Sequence, residues 1–280
     1  VLKERAAAGL WDGERLPGPW LVLRAVDDAI ERAQRGGTGT VVIRRSHHIA
    51  CLAAYLRRAT EQGMVLLVAC SDPNAASVAP FGGTRAVFTP DPLAIGFPTA
   101  GDPVLVDVSA SITTNGMSNR LRAEARRFAH PWLMDAGGRP TDDPAVLAAE
   151  PPGTILPLGG LDAGHKGYGL ALLNEALTGG LAGHGRADPK EGWGATVFVQ
   201  AFDPDAFGGR DAFLRQAECL AAQCRDNPPR PGVDKVRLPG ERALARRREQ
   251  LAGGVRLHPA ILPALEPWAQ RLGVPTPPAT

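Results

Sequence analysis

Thr40-Val41-Val42-Ile43-Arg44-Arg45-Ser46-His47-His48-Ile49-Ala50-Cys51-Leu52-Ala53-Ala54-Tyr55 is the stretch on which the reading of the chain turns. The β-branched run Thr40 to Ile43 has the composition of a buried strand. Beyond it, Leu52, Ala53, Leu56 and Ala59 recur at helical spacing up to Gly63. A strand therefore ends and a helix begins around Ser46, His47 and His48. A polar trio in that place opens on a cleft, with the amides of a helix N-terminus close by. Neighbouring side chains diverge, so at most one of the two histidines faces a substrate. The plainer alternative makes Ser46 a helix cap and both histidines solvated loop residues.

The same pattern recurs downstream. Met64 to Ala69 is apolar throughout, as in a strand buried on both faces, and Ser71-Asp72-Pro73 closes it. Val104 to Val108 reads as a third buried strand, ending in Ser109-Ala110-Ser111. Polar groups thus gather at the carboxyl ends of three strands, the edge at which open α/β sheets bind ligands. The generic alternative is that strand ends are polar because they leave the core. Leu23 to Gln34 carries one apolar face and is predicted helical, ended by Gly36-Gly37. Val1 to Ala8 is read as a short helix stopped by Gly9. Trp132 to Pro144 is a turn-rich hairpin, Thr196 to Phe202 a strand, and Asp211 to Cys224 an amphipathic helix. An arginine-rich helix follows Glu241, and Pro259 to Leu272 closes the chain. Gly164-His165-Lys166-Gly167-Tyr168-Gly169 leads into an apolar helix, Leu170 to Leu181. A lysine between glycines at a helix start suits a phosphate or a carboxylate, although the GxxxxGK[ST] spacing is absent. The class that emerges is α/β.

The 280 residues suffice for one large domain or two modest ones, and 44% hydrophobic with 21% charged residues is an ordinary soluble composition. A net charge of +2 gives no reason to expect nucleic acid or an anionic membrane as partner. The four cysteines show no disulfide or zinc spacing, so a reducing, cytoplasmic compartment is expected, with no metal. Val1 to Ala8 lacks the apolar segment of a signal peptide, and Met64 to Cys70 is too short to cross a bilayer. The first methionine is Met64, so the expectation is that the chain does not begin at a natural start.

Taken together, the segments resemble the malate/L-lactate dehydrogenase family, which includes L-sulfolactate dehydrogenase, ureidoglycolate dehydrogenase and Δ1-piperideine-2-carboxylate reductase. The motifs are Ser46-x-His48, Ser71-Asp72-Pro73, Pro80-Phe81-Gly82-Gly83, Asp91-Pro92-Leu93-Ala94, Asp107-Val108-Ser109, Thr141-Asp142-Asp143-Pro144, His165 to Leu170 and Leu238-Pro239-Gly240-Glu241. None is specific alone; eight in order, from about Gly39 onward, carry the resemblance. It implies a homodimer with a three-layer α/β core, a mixed sheet and a non-Rossmann site for NAD or NADP. The absence of GxGxxG agrees with that. It implies one family unit over residues 1–280, with a helical lobe from 1–60 and 241–280 and a central cofactor-binding lobe over 61–240.

The implied activity is hydride transfer between nicotinamide and a small 2-hydroxy or 2-oxo acid, or reduction of a related cyclic imine. His48 matches the family's proton acceptor. Ser71, Asp107, Val108, Ser109 and Lys166 match cofactor-contacting positions, and Pro239, Gly240 and Glu241 a C-terminal segment closing on the cofactor. Ser46 and Arg45 are candidates for substrate contact; Arg44 and Arg85 share the charge needed for a carboxylate. Three departures stand out. Ala50 occupies a usual glycine, Thr89-Pro90-Asp91-Pro92 replaces Gly-Thr-Asn-Pro, and residues 1–38 do not match the family's N-terminal Ser-His-Gly segment with its substrate arginine. A truncated, non-catalytic homologue retaining the dimer scaffold is the rival expectation. A metal hydrolase built on His47, His48 and Asp72 is a third, without HxH or HExxH spacing behind it.

Overall fold

The structure is a computed structural model that describes residues 1–190 and 192–276. In chain order the strands are β1 (Lys3–Glu4), β2 (Ala8–Asp12), β3 (Thr38–Ser46), β4 (Val65–Ser71), β5 (Pro92–Phe97) and β6 (Val104–Ser109). Three short ones, β7 (Leu133–Met134), β8 (Pro140–Thr141) and β9 (Thr154–Ile155), form a small sheet of their own, and β10 (Ala195–Phe202) returns to the large one. The helices are α1 (Gly18–Gly36), α2 (Ala53–Thr60), α3 (Asn115–Ala123), α4 (Gly160–Glu175), α5 (Arg210–Arg225), α6 (Glu241–Gly253) and α7 (Ile261–Leu272). Contacts divide the chain after Pro239. The unit from Gly240 onward holds α6 and α7; everything else belongs to the first.

The seven-stranded mixed sheet runs β1-β2-β3-β10-β4-β5-β6. Only β2 and β3 pair in parallel; β10 is antiparallel to both β3 and β4, and β4, β5 and β6 alternate. Two reversals separate β3 from β4, and two more separate β4 from β6. The three strands whose ends carry polar groups therefore point the same way, and those ends share one edge. The amino ends of β5 and β10 arrive at that edge from the opposite direction.

The predicted strands form because their apolar runs are buried on the sheet: Val41, Ile43, Leu66, Val68, Val197 and Val199 are each fully enclosed. Burial of such side chains contributes about 1.5–3 kcal/mol apiece before conformational entropy is set against it. Helix α1 covers the sheet through Leu21, Val22, Ala25, Val26, Ala29, Ile30 and Ala33. It starts earlier than Leu23 because proline is tolerated in a first turn, whose amides lack partners anyway. It ends, as expected, at Gly37, whose left-handed φ of 84° lets its N–H reach the Ala33 carbonyl.

Three expectations are corrected. Val1 to Ala8 is not helical: β1 and β2 form because residues 8–12 find β3 as a parallel partner, and that pairing overrides local propensity. The third strand, β6, is the sheet's edge, which leaves Asp107 and Val108 exposed rather than buried. Helix α4 begins at Gly160 rather than Leu170, so Lys166 sits in its interior and not at its start. Among the described residues no helix is long and apolar enough to cross a membrane.

Candidate active site

A cleft of about 680 Å³ opens at the shared strand edge. His48 beyond β3, Ser71 and Asp72 at the end of β4, and Asp107 and Ser109 at the end of β6 all line it. Thr114, Asn115 and Gly116 bring the N-terminus of α3 to its rim, where the Thr114 hydroxyl caps the helix by accepting from the Met117 N–H at 3.2 Å. Trp193, Gly194 and Ala195, at the amino end of β10, complete one wall.

The two histidines diverge as adjacent side chains must: His48 lines the cleft and His47 does not. Trp193 holds both rings, stacked on His48 at 5.1 Å and edge-on to His47 at 4.9 Å. The Ala50 N–H donates to His48 Nδ1 at a long 3.4 Å. That contact needs a left-handed backbone at Ala50, where φ is +59°. The departure from glycine is therefore a strained one, and Ala50→Gly is expected to raise stability by about 0.5–1 kcal/mol in urea unfolding.

No local pattern around residue 18 signals how Gly18 serves this corner. A Cβ there would lie 2.4 Å from the carbonyl oxygens of both His47 and His48. Helix α1 thus reaches the histidine backbone only because residue 18 is glycine. For Gly18→Ala the corner must move, and turnover is expected to fall about 10- to 100-fold, with His48 itself intact. Steady-state kinetics alongside a thermal melt would separate displacement from unfolding. Trp193 was also missed; its one sequence signal is the pair of glycines that flank it just before a strand.

Other predicted residues fall elsewhere. Ser46 is fully buried and donates its hydroxyl to the His47 carbonyl at 2.9 Å, so it shapes the corner rather than lining the cleft. Arg45 and Arg44 both bind Asp12, Arg45 Nε at 2.8 Å. Burial opposes ionisation of that carboxyl, but the two guanidiniums and the Glu14 N–H hold it down at about 2. Val108, Lys166 and Pro239 do not line the cleft. The Pro239 carbonyl accepts from the Leu105 N–H, and Gly240 and Glu241 open the second unit. Asp107 is engaged at the start of α2, where it accepts from the Ala53 N–H at 2.8 Å. Cys51 lies 3.5 Å from the same carboxylate, and burial together with that charge pushes its thiol up, away from nucleophilic use. Among the described residues no three His, Cys, Asp or Glu side chains converge as a metal site requires.

Beneath the cleft floor lies a buried polar cluster. Ser71 donates its hydroxyl to Glu175 Oε1 at 2.8 Å, and Arg186 donates to the same oxygen from Nε at 2.8 Å and Nη2 at 2.5 Å. Thr89, also on the cleft, donates to Asp91 Oδ1 at 2.5 Å. Burial first, and then the neighbouring Glu175 carboxylate, push Asp91 up to about 8.

An imidazole on the wall of a polar cleft at the carboxyl edge of the sheet suits proton transfer at a hydroxyl carbon, and the chain is a dehydrogenase of hydroxy acids. It belongs to the malate/L-lactate dehydrogenase family, whose model matches residues 1–266 and so begins well before Gly39. It is 34% identical to L-lactate dehydrogenase of Cupriavidus necator over 277 residues, 96% of this chain and 78% of that protein. It is 32% identical to the (2R)-3-sulfolactate dehydrogenase (NADP(+)) of Chromohalobacter salexigens over 257 residues, covering 89% and 72%. The crystal structure of Δ1-piperideine-2-carboxylate reductase from Pseudomonas syringae pvar. tomato superposes with a TM-score of 0.81 at 27% identity, covering 95% of this chain and 78% of that one.

Proposed function

We propose that the chain is an NAD(P)-dependent oxidoreductase that moves a hydride between nicotinamide and a small 2-hydroxy or 2-oxo acid, with His48 as general acid/base. The observation that carries this is the placement of His48, and not His47, on the wall of the cleft where β3, β4 and β6 end. The cleft has the volume of an ordinary small-molecule site. Ser71, Asp107 and Ser109 offer hydroxyl and carboxylate oxygens for a ribose, and the open amides of α3 at Asn115 and Gly116 offer donors for phosphate or carboxylate. Among the described residues no lysine or arginine lines the cleft, so anionic groups there depend on amides and hydroxyls.

A bound dinucleotide would supply the hydride donor or acceptor at nicotinamide C4. His48 handles the proton. With Nδ1 accepting from Ala50, the neutral ring carries its hydrogen on Nε2 and can hydrogen-bond a 2-oxo oxygen. The proton itself is delivered from the imidazolium, in which Nδ1 is protonated too and has released the Ala50 amide. For a hydroxyl proton to be taken up instead, Nδ1 must release the Ala50 amide, which at 3.4 Å holds it weakly. Trp193 stacks on one face of the ring throughout.

One parallel pairing in seven strands supports a non-Rossmann site. Helix α1 on one face of the sheet, with Leu177 and Ala182 packed on Val42, Ala69 and Phe198, supports a three-layer core. Exposed Leu161, Leu172 and Leu173 on α4 support a homodimer, and four free cysteines a cytoplasmic enzyme. Fluorescence titration with NADH and NADPH, followed by 2-oxo acids and cyclic imines, tests the assignment. Binding and consumption with an oxo acid are expected. Consumption with imines alone would move the reaction to C=N reduction, and binding without turnover would favour the non-catalytic scaffold.

A further inference from the structure

We propose that Asp91 is a positioning residue of the cleft floor and that it must hold a proton for the cleft to bind a dinucleotide well. The inference rests on the dinucleotide reading above. It starts from an orphaned atom: Asp91 is 1% exposed, and its Oδ2 is buried with no hydrogen-bond partner. Its other oxygen, Oδ1, already receives the Thr89 hydroxyl. An ionised Asp91 leaves Oδ2 as a lone acceptor beside the Glu175 carboxylate. A protonated Asp91 has a hydrogen to offer that neighbour, and the conflict disappears.

The surrounding charges point the same way. Glu175 faces Asp91 from α4, Arg186 from the turn beyond it and Cys70 from the end of β4, while Asp72 lies near Cys70 and gives its backbone N–H to the Thr89 hydroxyl. Arg186 is the one cation of the group, and it is spent on Glu175 Oε1 and on the Ala75 carbonyl at 2.9 Å. Asp72 Oδ2 is itself buried without a donor. A second unmatched carboxylate at Asp91 would add a negative charge that Arg186, already spent on Glu175, does not fully offset.

Ser71 and Thr89 are the link to the ligand. Both line the cleft, and both are held from behind, Ser71 by Glu175 and Thr89 by Asp91. With the proton on Asp91, the two hydroxyls are fixed by one connected network. When it leaves, repulsion between Asp91 and Glu175 separates the partners of these hydroxyls, and the buried charge opposes the phosphates above. The His48 imidazole also lines the cleft and is the same in the wild type and in Asp91→Asn.

The test is NADH binding by fluorescence from about pH 6 to about pH 10, for the wild type and Asp91→Asn. Asparagine keeps the acceptor for Thr89 and supplies a permanent donor toward Glu175. The dissociation constant of the wild type is expected to rise about tenfold through the alkaline range, while that of Asp91→Asn stays within about twofold. An infrared pH difference spectrum should show a protonated carboxyl band lost from the wild type over the same range and missing from Asp91→Asn. Equal pH dependence in the two proteins overturns the role of Asp91 and leaves the dinucleotide reading standing. Failure of both to bind NADH or NADPH at any pH overturns that reading, and this inference with it.

Discussion

His48→Ala is expected to lower kcat by about 10²- to 10⁴-fold, the range associated with loss of a positioned acid/base. Its dissociation constant for NADH should stay within about threefold of the wild type. The separation follows from position. The imidazole lies on the wall against Trp193, whereas the groups suited to ribose and phosphate lie at the ends of β4 and β6 and at the start of α3. His47→Ala is the control, because that ring touches the same tryptophan edge-on yet does not line the cleft. It should cost less than about tenfold. Comparable losses in the two variants would show that the pair supports Trp193 and that the proton is handled elsewhere.

Much of this site was legible because its strands announce themselves. β-branched and apolar runs at Thr40–Ile43, Met64–Ala69 and Thr196–Phe202 admit few roles other than buried strands, and each of them lies in or at the start of one. Their polar ends were visible as Ser46–His48, Ser71-Asp72 and Asp107–Ser109. That they share an edge depends on two intervening reversals, at β10 and β5, which local pattern does not encode. Lys166 misled because glycines flank it in the manner of a helix start, whereas α4 takes three of its interior residues, Gly164, Gly167 and Gly169, from that same stretch. Here close packing matters more than helix propensity: a Cβ at residue 167 would meet the Leu158 backbone at 2.3 Å. Gly18 and Trp193 were invisible for a related reason. Each acts through an element far away in sequence, and a lone glycine or tryptophan carries no mark of its partner.

Asp91 offers a stability signature independent of any ligand. Its folded-state proton affinity lies near 8 against an ordinary value of 3.8, raised by burial and by Glu175. A group whose affinity is raised on folding binds its proton more tightly in the native state. The stability it contributes is therefore fully present below about pH 4 and is lost as the pH rises toward about 8. A shift of that size corresponds to about 6 kcal/mol at most, and sharing of the proton with Glu175 and local relaxation reduce it. Asparagine has no proton to lose and keeps the hydrogen bond from Thr89, so Asp91→Asn should escape the decline. The variant is expected to match the wild type near about pH 4 and to exceed it by about 2–4 kcal/mol near about pH 9, read from urea unfolding at each pH. The sign matters more than the size. A carboxylate stabilised in its ionised form, as Asp12 is by Arg44 and Arg45, would give the opposite slope, with the aspartate form gaining stability as pH rises. If the two proteins give parallel profiles, Asp91 is ionised in the folded chain and Arg186 is neutralising both carboxylates.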